Sequence, residues 1–420
     1  MKTTRTLAIL FSLLAAGTAA AQTGPERVDS LEREVRTLRA RIDSLELLVQ
    51  GLARQGQDTV AAVDELAALR AAARTATGAS DSAPPPAGQP QVFIDRARSL
   101  SQLNPEISAT ADVRLGATRE APLENNVEVR EVEVSFQSAL DPYSSTKIFV
   151  GLREGEVEVE EAYAYWTGLP GKLRLDLGRF RQQVGELNRW HPHALPESES
   201  PLVLREFLGE EGLAANGVGL YWVVPAGGEA LGTHEIWGQV TLADNEQLFD
   251  GGTRLSFLGH LNNFWQLSRS TFVQIGGSAV YGENRVADLK TRLLGVDARL
   301  SWRPPARALY RSFTLRGEGY VVRRAVAGVP ETRYGGYASA LLQLDRRWFI
   351  GARYDYVEVT PTTHQWAVTP HATWWQSEWV YLRAQWQRDA VPVLPGLVDH
   401  SDRFVLQAVW AIGPHKHETY

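Results

Sequence analysis

Apolar and polar residues alternate with a period of two in segment after segment, from about residue 105 to the end of the 420-residue chain. Residues 107–115 and 404–412 are two examples, each with apolar side chains at every second position. Because successive side chains of a strand point to opposite faces, this period predicts strands with one apolar and one polar face. About 16 such segments follow one another, and bacterial single-chain barrels have an even number of strands. We therefore predict an all-β transmembrane barrel of about 16 antiparallel strands over residues 105–420, with a soluble β-sandwich as the alternative.

The connections between these segments differ in length on the two sides of the predicted barrel. One side has short turns, at 141–143, 167–172, 345–347 and 376–378. The other side has mostly longer connections, at 117–126, 182–215, 244–252 and 388–401, although the turn at Glu154-Gly155 is short. Outer-membrane barrels have short periplasmic turns and longer external loops. The longest connection, 182–215, is therefore predicted to be the third external loop.

The first 21 residues have the organisation of a secretory signal peptide. Lys2 and Arg5 precede an apolar run at 7–20, and an A-x-A cleavage site follows at 19–21. Export without any cysteine excludes a small scaffold held together by disulfides. No later segment has the 18 or more apolar residues of a transmembrane helix. The net charge of -6 argues against a nucleic-acid partner.

Residues 22–74 have the heptad pattern of a periplasmic coiled coil, and a Pro/Gly/Ala-rich linker follows at 75–104. The apolar residues at the a and d positions are Val28, Leu31, Val35, Leu38, Ile42, Leu45, Val49 and Leu52. Flanking charges of opposite sign favour self-association over a single amphipathic helix, so we predict a homo-oligomer. β-branched a positions with Leu at d lean towards two chains, whereas the attached barrel could impose three.

Residues 191–201, HPHALPESESP, are candidate functional residues within the long connection. His191 and His193 form an H-x-H pair, and imidazole and carboxylate groups are suitable zinc ligands. A zinc site at these two histidines is one hypothesis, and a row of polar side chains lining a wet constriction is the other. The candidate constriction residues are Arg189, His191, His193, Glu197, Glu199, Arg205, Glu206, Glu210 and Glu211.

Charged residues of both signs fall on the predicted lumen face of the strands. They are Lys172, Arg174, Asp176, Arg316, Glu318, Arg353, Asp355 and Arg383. Charge along a pore sets its ion preference. Because cations and anions are mixed here, the pattern does not predict preference for one sign.

Parts of the chain resemble a known group of barrels. The strand-to-loop passage LGRFRQQVGELN, residues 177–188, resembles that of the phosphate-selective porins O and P. The sequence HPHALP followed by FLGEEGL resembles uncharacterised outer-membrane proteins labelled zinc-regulated. The resemblance covers most of residues 105–420 and implies a trimeric, 16-stranded barrel for passive solute passage. The phosphate-selective members have a rich ladder of lumen arginines and lysines, and the mixed charge here departs from that pattern.

These observations lead to one preferred function and two alternatives. We predict a porin-like channel of the Gram-negative outer membrane, for passive diffusion of small solutes or ions, with residues 182–215 narrowing the lumen. The first alternative is a structural anchor whose periplasmic coiled coil contacts the cell wall, and the second is a metal-responsive uptake pore. No G-x-S-x-G or Ser/His/Asp pattern indicates an enzyme. A chain of this length cannot form the about 22 strands and plug of an energised receptor, and apart from the zinc hypothesis no cofactor is predicted.

Overall fold

The computed structural model describes residues 105–118, 127–225, 232–286, 289–326, 329–394 and 397–413. The signal peptide at 1–21, the coiled coil at 22–74 and the linker at 75–104 lie outside the described residues, so these assignments stay predictions.

Within the described residues the chain forms sixteen strands, each paired with the next in antiparallel orientation. They are β1 (Glu106–Thr118), β2 (Val127–Ala139), β3 (Ser144–Arg153), β4 (Glu156–Leu169), β5 (Leu173–Arg181), β6 (Ala214–Val224), β7 (Thr233–Leu242), β8 (Leu255–Ser268), β9 (Thr271–Glu283), β10 (Lys290–Trp302), β11 (Ser312–Val326), β12 (Val329–Gln343), β13 (Trp348–Thr360), β14 (Thr363–Trp375), β15 (Val380–Leu394) and β16 (Leu397–Ile412). β1 pairs with β16 and closes the barrel. Closure gives every strand two neighbours, which an apolar surrounding requires because unpaired backbone groups there are costly. The predicted barrel of 16 antiparallel strands is confirmed.

The two faces of the strands are the reverse of those in a soluble protein. In β10, Leu294 and Val296 are exposed on the outer surface, whereas Thr291 and Asp297 are buried inside. The same outward apolar and inward polar arrangement is characteristic of barrels that lie in lipid. Trp348, at the start of β13, is one of several aromatic side chains exposed near the rim where β1 begins. Others are Tyr143, Trp302, Tyr310, Trp379 and Trp410. Aromatic side chains are typical of the membrane–water interface.

We call the rim where β1 begins the start rim, and the opposite rim the loop rim. The connection of residues 182–213 is at the loop rim, between β5 and β6. The loop predicted at 388–401 is wrong, because β15 and β16 run through it, with Asp389 paired to Ser401. Polar residues interrupt the apolar pattern there, yet they do not prevent strand pairing where a hairpin projects beyond the lipid. The contrast in connection length is therefore weaker than the sequence suggested, and residues 303–311 form a long connection at the start rim.

Helical segments are few among the described residues. They are α1 (Leu202–Leu208), α2 (Glu246–Phe249) and the 3-10 turns Pro170–Lys172, Leu187–Arg189, Pro192–Ala194 and Pro305–Arg307. None of the described helices is long and apolar enough to cross a membrane. α1 lies within residues 182–213, which fold into the barrel and which we call the inner connection. The buried apolar side chains of the inner connection are Val184, Leu187, Leu195, Leu202, Val203, Leu204, Phe207, Leu208 and Leu213.

Candidate functional site

The inner connection enters the lumen directly after β5, where its backbone is held by wall side chains. Glu318 on β11 accepts hydrogen bonds from the backbone amides of Glu186 (3.0 Å) and Leu187 (2.9 Å). Gly185 has a φ of 58°, in the left-handed region, and a Cβ at this position would lie 2.1 Å from the hydroxyl of Tyr320. A glycine is therefore needed for this turn, which directs the chain across the lumen.

Four arginines on β10, β11, β13 and β15, which we call the basic wall, bind the inner connection. They are Arg299, Arg316, Arg353 and Arg383, all of them buried. Glu186 bridges Arg299 (2.7 Å) and Arg316 (3.0 Å). Arg383 donates to the carbonyl oxygen of Leu195 at 2.9 Å. These charge-assisted bonds fix the connection to one side of the barrel.

Arg353 is the most heavily used member of the basic wall. It donates to Glu197 (3.1 Å), to the carbonyl oxygen of Glu199 (2.8 Å) and to Asp355 (2.7 Å). Burial opposes ionisation of Glu197, but Arg353 and other cations lower the pKa of its carboxyl below the ordinary value. The segment at 197–199 is therefore held as an ionised, paired segment inside the barrel.

Glu199 forms a second group of ion pairs at the same place. Its carboxylate lies 2.6 Å from Arg403 on β16 and 3.2 Å from Arg205 on α1. Burial raises its pKa, but Arg403, Arg205 and Arg114 outweigh this effect and lower the pKa to about 2. Glu199 thus connects α1 to the wall.

α1 packs against the wall through its apolar face. Leu202, Val203 and Phe207 are buried, and Asp355 accepts the amide of Leu202 at 3.1 Å. Glu206 on the same helix pairs with Arg333 at 2.7 Å. An apolar cluster inside a barrel is unusual beside the polar walls of porins, and it shows that this segment is packed rather than solvated.

The opposite side of the lumen carries four buried glutamates, which we call the acidic wall: Glu131, Glu133, Glu160 and Glu161. A β-bulge explains why Glu160 and Glu161 both face inward. Phe149 pairs with Glu161 and Val150 with Val159, so Glu160 is an extra residue in β4. Bulges re-aim side chains in this way. In β2, Arg130 is likewise extra, because Asp112 pairs with Glu131 and Val113 with Val129.

His191 of the inner connection lies between these carboxylates. Its Nδ1 is 2.6 Å from Glu133 and 3.0 Å from Glu160, and its Nε2 is 2.8 Å from Glu161. Burial alone would lower the pKa of His191, but the three carboxylates raise it well above the ordinary value. The ring of Phe149 covers it at 4.7 Å between ring centroids. His191 therefore pairs the inner connection with the acidic wall, as Glu186 and Glu197 pair it with the basic wall.

Two cavities lie in the lumen on either side of the inner connection. The start-rim cavity has a volume of about 550 Å³, and the lining described contains four arginines and no acidic residue. Those arginines are Arg299, Arg303, Arg316 and Arg383, and the aromatic lining includes Trp190, Trp302 and Trp375. The loop-rim cavity has a volume of about 160 Å³, and its lining includes Glu158, Glu160, Glu211 and Asp244. The charged lining of the start-rim cavity is thus cationic, whereas that of the loop-rim cavity has four acidic residues and two arginines, Arg179 and Arg181.

Most of the site residues predicted from sequence face the lumen, and one does not. Lys172 is exposed in the start-rim turn, with a φ of 62°, so its assignment to the lumen wall is wrong. Lys172 is the last residue of the 3-10 turn Pro170–Lys172, and β5 begins at Leu173. Arg174 and Asp176 do face inward and pair with each other at 2.7 Å.

The remaining residues of the predicted constriction divide between wall contacts and the loop rim. Arg189 donates to Gln183 at 3.1 Å, and Glu211 accepts from Arg153 at 2.7 Å. Glu210 is largely exposed and lies 3.6 Å from Arg205. It is therefore a rim residue rather than part of the buried contacts.

Sequence reasoning missed the acidic wall, Glu186 and Arg299. A signal was available: glutamates alternate in VREVEVSF (129–136) and VEVEEAY (157–163), within segments predicted as strands. Four ionisable side chains at lumen positions of two nearby strands indicate a local charge cluster. The partner of that cluster, His191, is far away in sequence and could not be assigned to it by spacing.

Sequence similarity to known proteins is limited. No protein-family model matches the sequence. An uncharacterised protein of Aquifex aeolicus (strain VF5) is 30% identical over 256 residues, which make up 54% of this chain and 53% of that protein. The match therefore spans about half the length of this curated relative.

Several solved structures have the same architecture. The anion-selective porin from Comamonas acidovorans superimposes with a TM-score of 0.52 at 9% identity, covering 73% of this chain and 99% of that chain. The trimer form of OmpT from Vibrio cholerae gives 0.51 at 8% identity, covering 73% and 99%. The outer-membrane channel DcaP of Acinetobacter baumannii gives 0.50 at 8% identity, covering 74% and 96%. The expected porin-like barrel is confirmed as a fold, whereas the narrower relation to the phosphate-selective group stays a prediction.

Proposed function

We propose that the protein is an outer-membrane channel for small solutes or ions, and that the inner connection narrows its lumen. The observation that carries the proposal is the pairing of the inner connection with both sides of the lumen. His191 pairs with the acidic wall, while Glu186 and Glu197 pair with the basic wall. A barrel of 16 strands is wide enough for an aqueous channel, and this segment crosses it.

The two cavities support a path with two electrostatic zones. A solute from the loop rim meets the acidic lining of the smaller cavity, and one from the start rim meets the arginines and aromatic rings of the larger cavity. Charged linings select ions by sign and lower the barrier for the opposite charge. We therefore propose that the inner connection limits flux through the lumen, and that the charge of the two linings sets the ion preference.

Replacement of the inner connection by a tight turn tests this function. Arg181 pairs with Ala214, so an Asn-Gly turn in place of residues 182–213 joins β5 to β6 without changing the register. We expect single-channel conductance in planar bilayers to rise by at least about fivefold, since a wide lumen becomes open.

The matched control is the same replacement of residues 303–312, in the long connection at the start rim. Trp302 pairs with Phe313, so an Asn-Gly turn fits there as well. This variant removes a connection at the rim opposite to the inner connection and should raise conductance far less. Equal conductance in the two variants, or a small unchanged conductance after loss of residues 182–213, would contradict the proposal.

We also propose that the protein is a homo-oligomer, with three copies favoured over two. The heptad residues between Val28 and Leu52 support self-association, and OmpT of Vibrio cholerae, which has the same architecture, has a trimer form. Analytical ultracentrifugation of the full chain in detergent, with and without Leu38→Asp and Leu45→Asp, tests the role of the seam. An unchanged mass would assign oligomerisation to the barrel alone.

A tether between the outer membrane and the cell wall is a second candidate function. It rests on the coiled-coil pattern and the Pro-rich linker of residues 22–104, which precede the barrel strands in the sequence. Removal of this segment should then weaken the envelope while conductance stays unchanged. Normal envelope integrity, measured by detergent sensitivity of cells, would exclude the tether.

A further inference from the structure

The acidic wall has an unusual gap in its hydrogen bonding. Glu133 is fully buried, and in the part of the chain that the structure describes its ion pair is with His191 alone. Neither of its carboxylate oxygens receives a hydrogen bond of acceptable geometry there. One oxygen of Glu131 and one of Glu160 are also buried without a hydrogen bond. Buried carboxylates are normally paired or bound to metal, because an uncompensated charge is costly.

These oxygens come together with two imidazoles. Glu133, Glu160 and His191 offer ligand atoms within 4.8 Å of one another, and so do Glu131, Glu133 and His193. Glu133 belongs to both groups. In a tetrahedral site with metal–ligand distances of about 2.0–2.2 Å, ligand atoms are about 3.3–3.6 Å apart. Small side-chain movements would therefore bring either group to coordination distance.

We propose that this cluster binds one divalent transition-metal ion, with zinc as the expected ion. The bound ion would link the inner connection to the acidic wall. Glu133 and Glu160 supply ligands from the wall, and His191 supplies one from the inner connection, with Glu131 and His193 beside them. The proposal concerns binding and not conduction, so it stands or falls independently of the proposed channel.

The backbone leaves space for these groups. Gly151 on β3 faces the cluster, and a Cβ there would lie 2.8 Å from an oxygen of Glu131 and 2.8 Å from an oxygen of Glu160. The bulge at Glu160 adds a second carboxylate on the lumen side of β4. Bulges occur preferentially next to functional sites, where they redirect a side chain. Gly151 on β3 thus leaves room for the additional carboxylate that the bulge brings to the lumen side of β4.

A route for the ion leads from the loop rim. The loop-rim cavity of about 160 Å³ reaches Glu160 and is lined by Glu158, Glu211 and Asp244 as well. Arg179 and Arg181 also line it. Carboxylates along a cleft raise the local concentration of cations. The cavity therefore supplies the access that a buried metal site requires.

The ligand types favour zinc over calcium or magnesium. Imidazole nitrogen is a good ligand for zinc, copper and nickel, whereas calcium and magnesium take oxygen ligands in larger numbers. A mixed set of two histidines and glutamates fits the first class. The alternative is that a protonated His191 neutralises the carboxylates and no ion binds.

The experiment uses the full-length protein, purified in detergent and stripped with chelator. Isothermal titration with Zn²⁺ should give one site per chain, and Co²⁺ should give the visible d–d absorption of a site with nitrogen ligands. Binding should raise the unfolding temperature. Glu133→Gln and His191→Gln should each lower the affinity by at least about tenfold.

Two control variants separate this site from general binding. His260→Gln removes another buried lumen histidine, which bonds to Ser278, and should leave binding unchanged. Replacement of both His415 and His417 by Ala tests the other H-x-H pair and should also leave it unchanged. Strand content by circular dichroism and heat-dependent gel mobility show whether each variant is folded.

The proposal is overturned if the stripped wild-type protein binds Zn²⁺ no better than folded Glu133→Gln, or if Ca²⁺ binds as tightly as Zn²⁺. It is also overturned if the affinity is lost in the His415/His417 variant, which would place the ion at the C-terminus. Because conductance does not enter these measurements, failure here leaves the channel proposal untouched.

Discussion

The acidic wall and the basic wall hold the same segment with reversed charges. On the basic wall, the barrel supplies arginines and the inner connection supplies Glu186 and Glu197. On the acidic wall, the barrel supplies glutamates and the inner connection supplies His191. Arginine stays charged at any physiological pH, and a histidine can exchange its proton for a metal ion. We therefore expect the basic wall to hold the inner connection whatever the metal supply, and the attachment at the acidic wall to change when metal binds.

Arg353 on the basic wall and Glu133 on the acidic wall also differ in how completely their polar groups are paired. Arg353 has a carboxylate or carbonyl acceptor for its donors, as the bonds to Glu197, Glu199 and Asp355 show. Glu133 on the other wall lacks a well-aligned donor among the described residues. Removal of one partner from a complete buried network costs more than a change in an incomplete one. This difference can be tested by matched substitutions on the two sides.

The largest effect is expected for Arg353→Gln on the basic wall. The change leaves Glu197 buried with its nearest cation removed, which costs about 3–5 kcal/mol for a buried pair. The inner connection should then leave the lumen for a large part of the time. Limited proteolysis within residues 187–208 should become at least about tenfold faster, and single-channel conductance should rise.

Two controls belong with this variant. Glu161→Gln on the acidic wall keeps one acceptor oxygen, for either the backbone amide of Arg181 (3.1 Å) or the ring of His191 (2.8 Å), so it should change proteolysis less. Arg347→Gln alters an exposed arginine in a start-rim turn and should have no effect. Equal sensitivity of the Arg353 and Glu161 variants would remove the proposed difference between the walls.

The second largest effect is expected from acid, which should break the ion pairs of Glu199. The pKa of Glu199 is about 2 in the folded protein, below the ordinary 4.5, so its ionised form stabilises the fold above about pH 4.5. That contribution, roughly 3 kcal/mol, is lost as the pH falls from 4.5 towards 2. Proteolysis of the inner connection with an acid-stable protease should accelerate over this range. Glu199→Gln should show fast cleavage already at neutral pH and a flatter profile, and a wild-type rate that stays constant down to pH 2 would argue against the assignment.

The sequence predicted the barrel well, because strand alternation is a local property that each segment carries independently. It failed where geometry depends on a single extra residue. The bulges at Arg130 and Glu160 shift the inward face by one position, so the acidic wall does not follow strict alternation. Lys172 was misplaced because it was assigned to the wall although it ends the turn predicted at 167–172. Gly171 and Lys172 both have positive φ values, so the alternation of β5 begins only after them.

The candidate site was predictable in part. The long connection and its ionisable residues are visible in the sequence, and residues such as His191 and Glu197 lie in the lumen as the inward-folded loop requires. Their partners were not predictable, because Arg353 is 156 residues from Glu197 and several wall arginines are equivalent by pattern. The hairpin at 388–401 was also missed, because its polar residues were interpreted as a loop although they form paired strands.

A smaller effect should come from crowding the acidic wall with Gly151→Ala. The added methyl group meets oxygens of Glu131 and Glu160 at 2.8 Å, and overpacking of this kind costs about 1–3 kcal/mol. The denaturation midpoint in detergent should fall accordingly. Gly116→Ala is the matched control in β1, since a Cβ there meets nothing within 4 Å. Similar losses in both variants would mean that the acidic wall has room to spare.

The smallest effect is expected at the basic end of the lumen, outside the buried contacts. Arg303 lines the start-rim cavity and is exposed at its mouth, so it acts through long-range charge and not through a fixed bond. In the barrel that carries the Asn-Gly turn in place of residues 182–213, Arg303→Ser should shift the reversal potential in a potassium chloride gradient by a few millivolts towards cation preference. The shift should shrink at high salt, because the Debye length falls from about 10 Å at 0.1 M to about 3 Å at 1 M. Arg307→Ser, in the neighbouring 3-10 turn outside the cavity lining, should give a smaller shift. A larger shift for Arg307 would mean that the mouth of the channel lies elsewhere on the start rim.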